Sequence, residues 1–344
     1  MKKVTLGKTG ITAVQNGFGA LPIQRISKED AVKLLRRAYD GGMRFFDTAR
    51  AYSDSEEKLG EAFGTGYVDR DDIIITTKTT AKTPEAFWKD LETSLEKLRT
   101  EYIDVYQFHL MGECWLPGGP DGMYDCMLEA KKQGKIRHIG GTAHKIGIAE
   151  AIAESGVYET LQYPISYLAD DREIELIRKC QRNEVGLIAM KALAGGLITD
   201  SRAAMAFMGQ FDGLMPIWGI QRESELDEWL SYMDDTPVMD DEIREFIRSE
   251  IEDLKGEFCR GCGYCMPCTV GIQINTCNRM ALMLRRAPSD AWLNDYWQAE
   301  MKRAESCLEC GACLPKCPYG LDIPSLLKKN IEDYKKVLAG TVKI

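Results

Sequence analysis

The chain has 344 residues, 44% hydrophobic and 28% charged, which excludes a disordered or fibrous protein. A net charge of −9 argues against nucleic acid or an anionic membrane surface as a partner. At this length one large domain with an appendage, or two domains, is expected.

The N-terminal "MKKVTLGKTGITAV" opens with two lysines but has no apolar stretch behind them, so a signal peptide is not expected. No run approaches the ~18 apolar residues of a membrane span. A cytoplasmic protein is therefore expected. The same N-terminal segment suits a hairpin that closes the bottom of the fold.

Short apolar runs then alternate with amphipathic stretches. "AVQNGFGA" (13–20), "RFFDTA" (44–49), "IIITTK" (73–78), "IDVYQFH" (103–109), "IRHIGG" (136–141), "ETLQY" (159–163), "GLIAMK" (186–191) and "LMPIWG" (214–219) read as buried strands. Between them "SKEDAVKLLRRAYDGG", "TPEAFWKDLETSLEKLR" and "DDREIELIRKCQRN" read as helices, the first two opening on an N-cap residue followed by acidic residues. Such alternation gives an α/β fold with a parallel sheet. Asp47, Lys78, His109 and Gly140 follow one another 31 residues apart. Repeating a unit of about 30 residues eight times predicts a (β/α)₈ TIM barrel over 1–238. A doubly wound sheet is the alternative, but no GxGxxG follows the first strand.

In such a barrel the chemistry sits at the C-terminal ends of the strands. Asp47, Lys78 and His109 occupy that rim, with Tyr52 in the loop after Asp47. Each alone has an ordinary structural explanation, as a helix cap, a surface lysine or a strand-end histidine. Together they suggest a tyrosine adjusted by a lysine and an aspartate. Reduction of a carbonyl by hydride needs a proton donor at the developing alkoxide. A neighbouring ammonium is expected to lower a phenol's pKa from about 10. A histidine can orient the carbonyl oxygen or help move the proton. The rim loops "MGECWLPGGPDG" (111–122), with Cys114 and Trp115, and "SYLADDR" (166–172) are expected to shape the substrate pocket.

Beyond 238 the composition changes. "DDEIREFIRSEIEDLKGEF" (240–258) reads as a charged helix, 278–305 as mostly helix and "PSLLKKNIEDYKKVLAG" as a last one, giving a small, mainly helical domain over 239–344. Nine of the twelve cysteines fall between 259 and 317. A secreted disulfide framework would be spread out and exported, so clustered metal ligation in a reducing compartment is the better account. "CLECGACLPKCP" (307–318) is the C-x₂-C-x₂-C-x₃-C-P run that binds a [4Fe–4S] cluster and lends its fourth cysteine to a second one. "CRGCGYCMPC" (259–268) is one residue shorter before its last cysteine and is followed by Thr269. Zinc is the alternative, although three cysteines at this spacing would crowd a tetrahedral ion. Disulfides among such close cysteines would be strained.

"FFDTARAYSDSEEKLGEAF", "IIITTK" and "YIDVYQFH" resemble the aldo-keto reductases over about residues 3 to 233. The resemblance implies a catalytic tetrad of Asp47, Tyr52, Lys78 and His109, NADP(H) as cofactor and a small carbonyl or alcohol as substrate. It implies nucleotide contacts at Ala20, Thr142, Gln162, Gly196, Gly219 and Arg222, with Arg222 beside the 2′-phosphate. The chain departs from the family at Ile165, where an aromatic usually stacks on the nicotinamide, and at Trp218, Glu225 and Trp229. The cysteine module is similar to that of the family's iron–sulfur branch. That likeness implies two [4Fe–4S] clusters, one on Cys259, Cys262, Cys265 and Cys317, the other on Cys307, Cys310, Cys313 and Cys268, with Cys277 left as a buried thiol.

Three functions follow as expectations. The first is an NADP(H)-dependent oxidoreductase whose clusters exchange electrons with a partner or substrate. The second is a simple carbonyl reductase with structural clusters, and the third a redox-sensing or regulatory module. The complete tetrad weighs against the third.

Overall fold

The computed structural model describes residues 1–253, 258–286, 291–317 and 319–342. Residues 254–257 of the expected charged helix, 287–290 of the 278–305 stretch and Pro318 lie outside them. The chain forms two compact units, Met1–Ala192 with Ser201–Asp240, and Leu193–Asp200 with Asp241–Ile344.

The first unit begins with a hairpin of β1 (Lys3–Thr5) and β2 (Thr12–Val14). Eight further strands follow: β3 (Gly17–Gly19), β4 (Phe45–Asp47), β5 (Ile74–Thr79), β6 (Ile103–Phe108), β7 (Ile136–Thr142), β8 (Thr160–Pro164), β9 (Gly186–Met190) and β10 (Leu214–Gly219). They close into a parallel barrel in the order β10-β3-β4-β5-β6-β7-β8-β9. After each strand comes a helix, in order α1 (Lys28–Asp40), α2 (Ser55–Phe63), α3 (Pro84–Leu98), α4 (Met123–Lys132), α5 (Ile146–Glu154), α6 (Asp171–Arg182), α7 (Ser201–Gly209) and α8 (Glu223–Asp234). This is the expected (β/α)₈ barrel. The strands are buried on both faces, as a helix-covered parallel sheet requires; all six residues of β6 are buried. The two expected N-caps form, Ser27 accepting from the Asp30 amide and Thr83 from that of Ala86, and a third not expected is added by Asp170, which shares a capping box with Glu173.

The hairpin closes the bottom of the barrel, where Val4, Leu6 and Ala13 pack with Phe45, Ile188, Met215 and Ile217. The first expected strand, 13–20, is in fact two. Thr12–Val14 pairs with the hairpin and Gly17–Gly19 enters the barrel. Between them Gln15 and Asn16 turn the chain. The buried Gln15 amide donates to the carbonyls of Met208 (3.1 Å), Phe211 (3.0 Å) and Leu214 (2.8 Å), and Asn16 to that of Trp229 (2.9 Å).

The second unit is helical, with α9 (Asp241–Asp253), α10 (Ile274–Cys277), α11 (Met280–Arg286), α12 (Asp295–Ala304) and α13 (Ile323–Leu338). Its core joins cysteines to aliphatic residues: Cys259, Cys265 and Cys277 lie with Ile272, Met280, Leu327 and Tyr334. Asn330 of α13 bridges α11 and its approach, accepting from the Ala281 amide (2.9 Å) and donating to the Asn278 carbonyl (3.1 Å). The segment Leu193–Asp200 groups with this unit because the buried Arg279 guanidinium donates to the Gly195 carbonyl and packs between Gly195 and Gly261. A boundary drawn only at 238 omits that segment.

Among the described residues no helix is long and apolar enough to cross a membrane. Gln15→Ala would leave buried carbonyls bare and is expected to lower stability by about 1–3 kcal/mol, read as a lower urea midpoint of barrel unfolding.

Candidate active site and cysteine ligand sets

Asp47 ends β4, and Lys78 lies one residue before the end of β5. In register Asp47 faces Thr76, and Lys78 faces Gln107. Both charged side chains are almost fully buried, at 2% and 1% exposure. Lys78 Nζ lies 2.8 Å from each Asp47 carboxylate oxygen and 2.6 Å from the Thr48 carbonyl, so all three of its donors are used. Asp47 also accepts from the Thr76 hydroxyl (2.7 Å) and the Gln162 amide (3.4 Å). Burial pulls the Lys78 pKa down against the opposing pull of Asp47.

The loop after β4 is pinned by its backbone. The Thr48 amide donates to Thr76 (2.8 Å), that of Arg50 to Lys78 (3.0 Å), and that of Tyr52 to Ala49 (3.0 Å). Tyr52 thereby lies with its ring centre 5.2 Å from Lys78 Nζ and edge-on to the His109 ring at 5.7 Å. Glu56, buried at the start of α2, steadies the same loop by pairing with Arg50 and accepting from the Thr77 and Ser94 hydroxyls (both 2.7 Å). The sequence reading expected the ammonium to lower the Tyr52 pKa. Burial, and then the Asp47 charge, instead raise it above the ordinary phenol value. Lys78 is neutralised by its carboxylate partner, so desolvation of the phenolate wins.

His109 follows β6, its amide donating to the Thr79 carbonyl (2.8 Å). Its Nδ1 is buried and has no hydrogen-bond partner among the described residues. Burial, with a smaller effect of the Lys78 charge, pushes its pKa down to about 3. The ring is therefore neutral at ordinary pH.

Thr142 and Gln162 complete this end of the barrel. The Leu110 amide donates to the Thr142 hydroxyl (2.8 Å), and Gln162 accepts from Gln107 (2.9 Å). Ala20, just beyond β3, is fixed by its amide to the Asp47 carbonyl (2.8 Å). Gly219 ends β10, and a Cβ there would lie 3.1 Å from Pro22. Arg222 is exposed at the start of α8 and pairs with Glu225 (3.1 Å) rather than standing free. Gly196 belongs to the other unit, in the 193–200 segment, with φ +94°. Ile165 is buried, and Trp218 stacks on Trp229 at 3.8 Å with planes 8° apart. Trp115 stands half-buried with its ring edge-on to Phe108 at 4.8 Å.

Thr76, Gln107 and Glu56 were not singled out from the sequence. Thr76 was within reach, two residues before Lys78 and so on the same face of its strand.

The two cysteine runs follow one backbone path. The residue before the second cysteine, Gly261 or Glu309, and the one after it, Gly263 or Gly311, are left-handed in both. In Glu309 the conformation costs about 1–2 kcal/mol. One cavity is lined by five cysteines, Cys265, Cys268, Cys307, Cys310 and Cys313. Cys259 feels the charges of Cys262 and Cys317, and Cys313 those of Cys307, Cys310 and Cys268. Cys265 neighbours both groups, being influenced by Cys259 and Cys262 on one side and by Cys313 on the other. No three titratable ligands among the described residues converge as for a single metal ion. Cys277 is fully buried in the core, apart from either set.

A family model described as "Aldo/keto reductase family" matches residues 13–214, and one described as "4Fe-4S dicluster domain" matches 258–322. L-galactose dehydrogenase of Arabidopsis thaliana is 29% identical over 212 residues, 57% of this chain and 66% of that protein. Aldo-keto reductase YhdN of Bacillus subtilis (strain 168) is 28% identical over 222 residues, 58% of this chain and 64% of that protein. The chain thus spans a little under two thirds of the length of these curated relatives. An aldo-keto reductase from Klebsiella pneumoniae solved in complex with NADPH shares the fold, with a TM-score of 0.63 at 21% identity over 73% of this chain and 96% of that one. The chain belongs to the aldo-keto reductase family, and a 4Fe-4S dicluster domain follows the barrel in sequence.

Proposed function

We propose that the barrel transfers hydride between NADP(H) and a small carbonyl or alcohol substrate, and that the C-terminal unit holds two [4Fe–4S] clusters which exchange electrons with a partner or with the substrate. What supports the barrel half is the contact set of Tyr52, edge-on to a neutral His109 and over a Lys78 clamped to Asp47. NADP(H) as the nucleotide is supported by the NADPH complex of the Klebsiella protein, which has the same fold.

When bound, the reduced nicotinamide supplies the hydride. Tyr52, held as a neutral phenol, gives its proton to the oxygen that becomes the alcohol and is reprotonated from solvent. Lys78 limits the cost of the phenolate left behind. The neutral His109 offers an N–H to the carbonyl oxygen. Thr142 and Gln162 are the polar side chains available to the nicotinamide carboxamide, while Ile165 offers no aromatic face to its ring. Arg222 meets a 2′-phosphate only by sharing or releasing Glu225.

The two cysteine sets would supply one-electron chemistry. A second reading, in which the clusters serve structure alone, is favoured by the burial of Cys259 and Cys265 within the unit's core. Cys310→Ala separates the two readings. Electron exchange predicts that viologen-linked activity falls while NADPH-linked carbonyl reduction persists. Structural clusters predict that neither assay moves, or that both fall with the fold.

Tyr52→Phe is expected to lower NADPH-dependent carbonyl reduction by about 10²–10⁴-fold with NADPH binding, followed by fluorescence, retained; an unchanged rate would refute the assignment. Stability should also depend on pH through His109, whose folded pKa of about 3 lies below the unfolded value of about 6.5. The unfolded chain takes up a proton that the folded one excludes, so stability is full above pH 6.5 and declines as pH falls toward 3. His144, also pushed to about 3 by burial, adds to the slope. His109→Gln should flatten the fall in Tm between pH 7.5 and 5. Iron analysis should give about eight irons with matching labile sulfide per chain.

A further inference from the structure

The two cysteine sets differ in exposure. In the first, Cys259 and Cys265 are buried, and Cys262 and Cys317 are partly covered. In the second no cysteine is buried and Cys310 is exposed. Its chain neighbours are exposed as well, Leu308 at 68%. Each set has a donor facing a sulfur, but of a different kind: in the first it is the Gly261 amide, 3.4 Å from Cys259 Sγ. The hydroxyl of Thr269 lies 3.8 Å from Cys310 Sγ. Thr269 follows Cys268, where the other run has Pro318, and a proline carries neither a hydroxyl nor an amide hydrogen to donate.

A donor aimed at a ligating sulfur stabilises the more negative, reduced state of the group that the sulfur holds, and so raises its reduction potential. Greater exposure acts in the same direction and also opens the group to external carriers. The greater exposure falls on the second set, and its donor is a side-chain hydroxyl that a substitution can remove.

Resting on the cluster reading above, we infer that Cys268, Cys307, Cys310 and Cys313 form the electron port of the C-terminal unit, and that Thr269 sets its potential through the sulfur of Cys310. One electron passes from a soluble one-electron carrier to this site; the carrier is oxidised, the site is reduced, and no atom moves. Thr269 is a positioning residue here, since it touches a ligand sulfur and not the reacting substrate.

The test is an EPR-monitored redox titration of the full-length protein with viologen mediators. Two signals are expected in the wild type. In Thr269→Val one midpoint should shift to a more negative value and the other stay in place, and Thr269→Ser should restore the wild-type value. The wild type alone supplies a second readout. A soluble dysprosium chelate should speed the relaxation of one signal, and it must be the signal whose potential Thr269→Val moves. Two signals with neither midpoint displaced, or enhanced relaxation of the opposite signal, would overturn the inference and leave the clusters themselves in place. A protein with zinc and no labile sulfide would overturn both.

Discussion

The buried pairing of Lys78 with Asp47 is the constraint on which the rest of the barrel site depends. Two opposite charges at 2.8 Å, both almost out of reach of water, survive only because every donor of the ammonium and most acceptors of the carboxylate are filled. Removing either partner would strand a buried charge, a loss of about 3–5 kcal/mol. The pairing demands that β4 and β5 lie in one register, that Thr76 present its hydroxyl from the same face, and that Gln162 reach in from β8. It also fixes the electrostatics above it. A lone ammonium would draw the Tyr52 phenol toward ionisation, whereas a neutralised one leaves burial and the Asp47 charge in control. In the proposed chemistry this makes Tyr52 a proton donor at rest, which suits reduction of a carbonyl better than oxidation of an alcohol.

The barrel geometry explains why these residues could be found from spacing. Asp47 pairs with Thr76 and Lys78 with Gln107, 29 residues on in each case. Lys78 lies two residues beyond the register partner of Asp47, and His109 two beyond that of Lys78, so each site residue keeps the face of its strand. A step of 29 plus two gives the 31-residue interval, and one regular interval therefore leads from Asp47 to Lys78 to His109. Gln107 and Gln162 do not follow that interval. They meet across the barrel end, 55 residues apart in sequence, through an amide pair that neither strand's pattern announces.

Other features stayed hidden for the same reason: their partners are remote. "AVQNGFGA" reads as one strand because its composition is continuous. It is divided by Gln15 and Asn16, whose backbone acceptors lie 193 to 213 residues downstream. Arg279 draws the 193–200 segment to the C-terminal unit through a carbonyl 84 residues upstream, and a guanidinium in an apolar helical stretch gives no sign of which carbonyl it will meet. The direction of the Tyr52 shift differs from the expected one because proximity of a lysine is legible in sequence while its burial against a carboxylate is not. In the cysteine runs the C-x₂-C spacing made the turn legible, though not which thiols share a cluster. Repeated left-handed residues at 261 and 309 carry that turn in both runs.

A nicotinamide gives up two electrons together as hydride, whereas a four-iron cluster accepts one at a time. A chain that joins the two chemistries without a flavin motif does not couple them simply by carrying both. In the proposed function the barrel residues serve a paired transfer, with Tyr52 a neutral acid, His109 a neutral imidazole and Lys78 paired with Asp47. Under the proposed function, one-electron traffic would belong to substrates that tolerate a radical, or to turnover in which the C-terminal unit serves a different redox partner from the one reduced in the barrel. The unequal exposure of the two cysteine sets fits such a division, because a port open to external carriers is of use only if electrons are exchanged outside the hydride step.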